Sequence, residues 1–252
     1  MFLPSFSYAV NIVKLAQAQN TEEGIVAGTI TPTTEELCTR IRTLYDQIKG
    51  DVESIEKSRN EKRQIDADAN TLVWQKLVAQ IQFDRLQRSS DISKEINDLR
   101  TLTKDVKEQR ILSDFETTVN NLFAIYRSDV DKSLATYKTT YDALNLARFD
   151  SEDALIKKYK DDSLNALSVS KESCTLGKYD EKERQSLKDK LKEYSETLKK
   201  GGEKAQIDSL ETDKKIEDAN IIKNIQIEEA NKSFTNNLTS AKDKLLKDLA
   251  EK

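Results

Sequence analysis

Neither glycine nor proline occurs between Gly50 and Gly177, an interval that makes up about half of the 252 residues. These two residue types most often end helices and form turns, so an interval without them favours long helices with few interruptions. Charged residues make up 34% of the chain, which suits helices that expose a wide polar face. The predicted fold class is therefore all-α.

Apolar residues recur at alternating steps of three and four positions, the spacing of heptad-like, coiled-coil packing. The first such stripe follows Pro32, and Thr33 with Glu36 matches a capping box at a helix start. The pattern stops at 56–64, where no residue is apolar, and resumes with a stripe predicted to face the core: Ile65, Ala69, Leu72, Val73, Leu77, Ile81 and Leu86. A similar stripe near the C-terminus comprises Ile207, Leu210, Ile216, Ala219, Ile225, Ala230, Phe234, Leu238, Ala241, Leu245 and Leu249.

Local signals predict where the helices begin and end. Ser89–Asp91 and Asp150–Asp153 offer N-cap side chains, and the Gly201–Gly202 pair resembles a helix C-cap. A further helix end is expected near Gly177, with a new start at Asp180. Because the links are short, we expect an elongated antiparallel bundle of four long amphipathic segments, 33–88, 91–148, 151–200 and 203–250.

The N-terminal residues 1–31 are predicted to stand apart from a single helical bundle domain at 32–252. Within them, the apolar residues of 2–13 fit one face of an amphipathic docking helix. The tripeptide Ala16–Ala18 also resembles a signal-peptide cleavage site, so a signal remnant is the alternative. Residues 20–31 have the composition of a linker.

The two cysteines, Cys38 and Cys174, lie far apart, and no CxxC pattern indicates a zinc site. They are a candidate disulfide, with two buried free thiols as the alternative. In four straight helices the pair would lie roughly 35 Å apart at helical rise, whereas a disulfide needs Cα atoms within about 7 Å. At the polar gap 56–64, either the helix runs on through solvent or the chain turns. A bridge requires either a helix break there, which the gap makes plausible, or a hairpin between 151–176 and 180–200.

The chain contains no histidine, which removes the commonest general base and the commonest metal ligand of proteins. The motifs GxSxG, GxGxxG and Walker A do not occur either. We therefore expect a non-enzymatic protein without a catalytic residue, metal site or cofactor. Lys and Arg number 41 against 45 Asp and Glu, and the two signs are interspersed, so no nucleic-acid partner is expected.

Tyrosines combine a large apolar ring with a polar tip, which suits an interface or a ligand pocket, although ordinary core packing is the alternative. The candidates at helical spacing are Tyr126, Tyr137, Tyr141 and Tyr159. Two N-x-S/T sequons, at Asn231 and Asn237, are weak candidates for glycosylation, because both fall inside a predicted helix.

Three functions are compatible with these features. The leading hypothesis is a secreted, non-enzymatic helical binding protein, for example a host-interaction or effector protein, whose surface engages a protein partner or a small apolar ligand. The cysteine pair, the cleavage-like tripeptide and the lack of catalytic residues motivate it. The alternatives are a cytoplasmic coiled-coil scaffold that forms a homodimer, and a protein whose amphipathic helices bind lipid or a membrane surface reversibly.

Overall fold

The computed structural model describes residues 33–103 and 105–251, which form an antiparallel bundle of three long α-helices. Helix α1 spans Thr34–Leu102, α2 spans Val106–Thr175 and α3 spans Glu181–Ala250. The predicted all-α fold class and the antiparallel bundle are confirmed. The docking helix or signal remnant predicted within residues 1–31 lies outside the described residues and stays a prediction.

Each helix begins at a polar side chain that caps its first turn. Before α1, the Thr33 amide donates to Glu36 Oε2 at 2.8 Å and the Glu36 amide donates to Thr33 Oγ1 at 3.3 Å, as the predicted capping box requires. Before α2, Asp105 Oδ1 accepts the amide hydrogen of Lys107 at 2.8 Å. Before α3, Asp180 Oδ1 accepts from the amide three residues later at 2.9 Å. These bonds satisfy amides that have no partner inside the helix.

The end of α2 is fixed by a glycine in the left-handed region. Gly177 has φ of 64°, and its amide donates to the Cys174 carbonyl at 3.1 Å. The Lys178 amide donates to the Ser173 carbonyl at 2.9 Å, which completes a Schellman motif. The predicted helix end near Gly177 is confirmed. Helices α2 and α3 therefore form a hairpin around this glycine.

The described residues fall into two compact units, and each helix contributes residues to both. Of the described residues, the first unit comprises 33–68 and Leu144–Lys214, and the second comprises 69–143 and 215–251. The buried core of the first unit contains Cys38, Ile41, Ile48, Val52, Ile156, Tyr159, Ala166, Leu167, Tyr179, Leu187 and Leu198. The buried core of the second contains Ile92, Ile96, Leu112, Phe115, Val119, Phe123, Tyr126, Val130, Leu134, Ala230, Phe234 and Leu245.

The predicted division into four segments is wrong. Helix α1 continues through Ser89–Asp91, α2 continues through Asp150–Asp153, and α3 continues through Gly201–Gly202. Each of these stretches contains a buried or half-buried residue, and Glu152 and Gly201 each lie against a neighbouring helix. Polar side chains and glycines that resemble caps in the sequence therefore contribute to contacts between helices.

The break between α1 and α2 is not among the predicted helix ends. Leu102 is the last residue of α1 and Val106 is the first of α2, and neither glycine nor proline lies between them. The break has a local signal in Asp105, which stands three residues before Glu108, the spacing of a helix N-terminus. The apolar pattern of the flanking helices continues across this point, which concealed the signal.

Gly201 allows α3 to pack closely against Leu155 of α2. A Cβ atom added at this position would lie 2.5 Å from Leu155 Cδ1 on α2. Gly50, by contrast, lies in α1 with nothing within 4 Å of the corresponding point. The two glycines share a helical backbone and differ in what surrounds them.

This difference predicts unequal responses to the same substitution. Because alanine is the better helix former, we expect Gly50→Ala to raise the free energy of unfolding by about 0.5–1 kcal/mol. Gly201→Ala should gain less or lose stability, because the Leu155 side chain must move to admit the methyl group. Chemical denaturation of both variants measures the difference, and equal gains would contradict the proposed contact.

Candidate functional site

Among residues 33–103 and 105–251, no group of three or more His, Cys, Asp or Glu side chains could hold a metal ion. Within the same ranges, no helix combines the length and the apolar character that crossing a bilayer requires. The candidate sites are therefore the disulfide, the buried polar clusters and the exposed apolar faces.

Cys38 and Cys174 form a disulfide, with their Cα atoms 5.7 Å apart. Cys38 lies in the first turns of α1 and Cys174 lies in the last turn of α2, ends that an antiparallel pair of similar length brings together. Of the two arrangements that the sequence allowed, the hairpin at Gly177 is present. The other arrangement, a helix break at 56–64, is absent, because α1 is continuous there.

In the polar gap at 56–64, Arg59 and Arg63 of α1 form an ionic cluster with acids of α2 in the first unit. Arg59 is 2% exposed, and its guanidinium donates to Glu152 Oε2 at 2.8 Å and contacts Asp153 Oδ1 at 2.9 Å. Arg63 pairs with both carboxylate oxygens of Asp153, at 2.7 and 2.9 Å, and covers the Phe149 ring at 4.5 Å. Arginine stems and their paired acids thus take the place of apolar residues between α1 and α2.

The charges of this cluster hold Asp153 in its ionised form. Burial raises the pKa of Asp153, but hydrogen bonds and charge from Arg63 and Arg59 outweigh burial and hold the pKa below its usual range. In the sequence, Asp150–Asp153 resembles the cap of a new helix. Arg59, Glu152 and Asp153 belong to one ionic cluster. This cluster accounts for the polar gap in α1 and for the cap-like residues in the middle of α2.

Three of the four candidate interface tyrosines lie inside the bundle. Tyr126, Tyr137 and Tyr159 are at most 5% exposed, and Tyr141 is half-buried. Tyr126 packs on Phe234 with ring centroids 5.3 Å apart. Their role in an interface stays a prediction, and the positions of the first three fit the core alternative better.

Tyr137 is the centre of an aromatic cluster in the second unit. Its ring centroid lies 6.3 Å from that of Trp74 and 6.2 Å from that of Tyr141. Lys223 is 6% exposed, and its Nζ lies 4.8 Å from the Tyr137 ring centroid and donates to Asn220 Oδ1 at 2.7 Å. Burial lowers the pKa of this lysine, because the charged form loses its hydration.

The cluster predicts a specific alkaline response. Burial, followed by the neighbouring Tyr141, raises the pKa of Tyr137 to about 12. Because the unfolded-state pKa is about 10, this group stabilises the fold fully below about pH 10. The contribution is lost as the pH rises through about 12. Between these two pH values, the free energy of unfolding, measured by chemical denaturation, should fall more steeply with pH in the wild type than in Tyr137→Phe. Identical slopes would contradict the raised pKa.

The first exposed apolar face lies on α3 in the second unit. Ile221, Ile222 and Ile225 are 48%, 55% and 50% exposed. Asp218 precedes them by one turn, and Glu228 and Glu229 follow by one turn, all exposed. We name these six residues the α3 patch. The stripe predicted for α3 is wrong for Ile207, Leu210 and Ile225, which are all exposed. Near Ile225 the buried positions at seven-residue spacing are Ile216, Lys223 and Ala230.

The second exposed apolar face lies on α1, also in the second unit. Leu72, Phe83 and Leu86 are 58%, 63% and 69% exposed. Leu77 and Ile81 do pack against the core. The core stripe predicted for 65–86 is wrong for its exposed members: Ile65, Ala69, Leu72, Val73 and Leu86. We name the following exposed set the α1 outer stripe: Ala69, Leu72, Lys76, Ala79, Phe83 and Leu86.

The two sequons lie on α3. Asn231 is half-buried, with its Oδ1 enclosed and without a hydrogen-bond donor. Asn237 is exposed, and its Nδ2 lies 3.4 Å from Ser233 Oγ. Of the two weak candidates, Asn237 has the more accessible amide, and its glycosylation stays a prediction.

Comparison with known proteins gives no family assignment. No family model, curated protein or solved structure matches the chain. Function is therefore inferred from the disulfide and from the two exposed apolar faces.

Proposed function

We propose that the protein is an extracellular, non-enzymatic helical protein that binds a protein partner through the α3 patch. The disulfide between Cys38 and Cys174 is the observation that carries the proposal. Such bonds persist in oxidising environments, chiefly outside the cell, and are rare where cellular thiols keep cysteines reduced. The absence of histidine from the sequence supports the non-enzymatic part.

The chemistry of the α3 patch suggests what kind of partner it would take. Its centre is apolar, since it consists of Ile221, Ile222 and Ile225, whereas acidic side chains occupy both ends. An apolar centre with a charged rim is the usual anatomy of a protein interface. The complementary surface is therefore an apolar segment flanked by Lys or Arg. Anionic lipid is disfavoured, because Asp218 and Glu228 would face the lipid headgroups.

Site-specific photo-crosslinking tests this proposal. A photoreactive residue placed at 222 should link the protein to one partner in extracellular fluid of its source. The linked peptide should carry apolar and basic side chains. The matched control places the same residue at 125, where Ile125 is an isolated exposed side chain of α2 in the same unit. Equal crosslinking from both positions, or from neither, would contradict a binding role for the patch.

A dimeric intracellular scaffold is the second candidate, and the α1 outer stripe favours it because scaffold helices pair through such heptad positions. The two candidates differ in the redox state of the cysteines. A scaffold of the reducing cytoplasm would contain free thiols at Cys38 and Cys174 in native material. The disulfide in the structure supports the extracellular proposal.

A further inference from the structure

The α1 outer stripe has the spacing of a coiled-coil interface. Its six residues follow one another at alternating steps of three and four positions, from Ala69 to Leu86. All six are exposed, and the three large apolar side chains are each more than half exposed. At 1.5 Å per residue the stripe is about 26 Å long. It therefore offers almost five helical turns of contact.

The fold does not account for this stripe. Helix α1 already turns a different face to the core of the second unit, where Trp74, Leu77 and Ile81 pack and Arg85 is 4% exposed. A helix of a bundle usually exposes a polar face opposite its buried one. In this segment of α1, both faces carry heptad-spaced apolar residues. The outward face is thus suited to a second contact.

The borders of the stripe are uncharged over most of its length. Gln75, Gln80, Gln82 and Gln87 occupy the flanking positions that in coiled coils usually carry Glu or Lys and select the partner. Glutamines produce no like-charge repulsion when two identical helices meet. They also lack the Lys and Arg that a helix lying on an anionic membrane uses. The borders therefore favour a second copy of this chain.

An antiparallel arrangement of two copies makes the stripe complementary to itself. If the two-fold axis passes between Lys76 and Ala79, Ala69 lies opposite Leu86 of the second copy. Leu72 then lies opposite Phe83 of the second copy. Lys76 then faces the small Ala79, which leaves room for the lysine stem along the apolar surface. In a parallel arrangement Lys76 would face itself, and like charges in that position oppose pairing. The charge of Lys76 and the small size of Ala79 thus both favour the antiparallel orientation.

We propose that the α1 outer stripe is a self-association surface on which a second copy of this chain packs in antiparallel orientation. The resulting contact is isologous, because both copies use the same residues. It uses a different face from the α3 patch and does not depend on the proposed function. Because the stripe is short, we expect an equilibrium between monomer and dimer that depends on concentration.

Sedimentation velocity of the full chain tests the surface. Over roughly 1–100 µM, a range that brackets moderate affinities, the wild type should shift from monomer to dimer. Phe83→Glu should weaken the dimer by about tenfold or more, because it places a charge in the apolar contact. Ile125→Glu, at a comparably exposed position of α2, should leave the dimer unchanged. Circular dichroism checks that both variants retain their helices.

A second substitution tests the orientation. In the antiparallel dimer, Ala79→Glu places a carboxylate opposite Lys76 of the second copy and should tighten the dimer or leave it unchanged. In a parallel dimer the same substitution brings two carboxylates together and should weaken it by about tenfold. A weakened dimer would overturn the antiparallel orientation.

Other outcomes would overturn the surface itself. A full chain that stays monomeric throughout the concentration range would do so, and so would a dimer that Phe83→Glu does not weaken. A chain that dimerises only after removal of residues 1–31 would show that this segment covers the stripe in the intact protein. A dimer that both Phe83→Glu and Ile125→Glu weaken equally would place the contact elsewhere.

Discussion

Arg59→Met should lower the free energy of unfolding by about 3–5 kcal/mol, the usual cost of removing one partner from a buried ion pair. Arg59 is 2% exposed, and the Glu152 carboxylate that it contacts at 2.8 Å lies on a side chain that is only 5% exposed. Without the guanidinium, this buried carboxylate loses the ion-pair partner that offsets its desolvation. Chemical denaturation at neutral pH measures the loss.

The double variant Arg59→Met/Glu152→Leu separates the pair from the packing around it. Because apolar residues of similar volume often replace buried ion pairs at little cost, the double variant should recover most of the stability. Lys57→Met is the matched control, since Lys57 pairs with Glu61 on an exposed part of the same helix and should change stability by about 0–1 kcal/mol. A double variant as unstable as the sum of its two single variants would contradict the coupling between Arg59 and Glu152.

Removal of the disulfide should be the other large perturbation. The bond joins residues 136 positions apart, so it restricts a long loop in the unfolded chain. In the chain-entropy view, the variant Cys38→Ala/Cys174→Ala should lose about 2–5 kcal/mol of unfolding free energy. Denaturation with and without reductant measures this, because reductant should destabilise the wild type and leave the variant unchanged.

The effect of this variant should also be local. Both cysteines lie in the first unit, at the start of α1 and the end of α2. Hydrogen exchange should therefore accelerate most in the amides of these two helix ends. Wild-type protein that is equally stable with and without reductant would contradict a structural role for the bond.

Much of the fold could be predicted from residue periodicity and from local capping signals. The absence of glycine and proline between Gly50 and Gly177 predicted long helices, and Thr33 with Glu36 marked the start of α1. These features act between near neighbours in the chain, so the sequence shows them directly. The position of Cys174 near a helix end also followed once Gly177 was recognised as the end of α2.

The errors arose where a residue's role depends on a distant helix. In the sequence, Arg59 lies in the polar gap and resembles a solvent-facing residue, but in the structure it pairs with Glu152 of α2. Gly201 resembles a helix cap in the sequence, but in the structure it packs against Leu155 of α2. The α1 outer stripe shows a different difficulty. Its residues and the core residues both follow heptad spacing, so periodicity alone could not decide which stripe faces inward. Function was less accessible still, because no motif in the chain specifies a partner.

The measurement that tests the account most directly is the intact mass of native protein, unfolded in denaturant with an alkylating reagent, with and without prior reduction. We expect no alkyl group without reductant and two after reduction, because Cys38 and Cys174 are bridged. Denaturant ensures that burial does not protect a free thiol. Two alkyl groups without reduction would contradict both the bridge in native material and the extracellular assignment that rests on it.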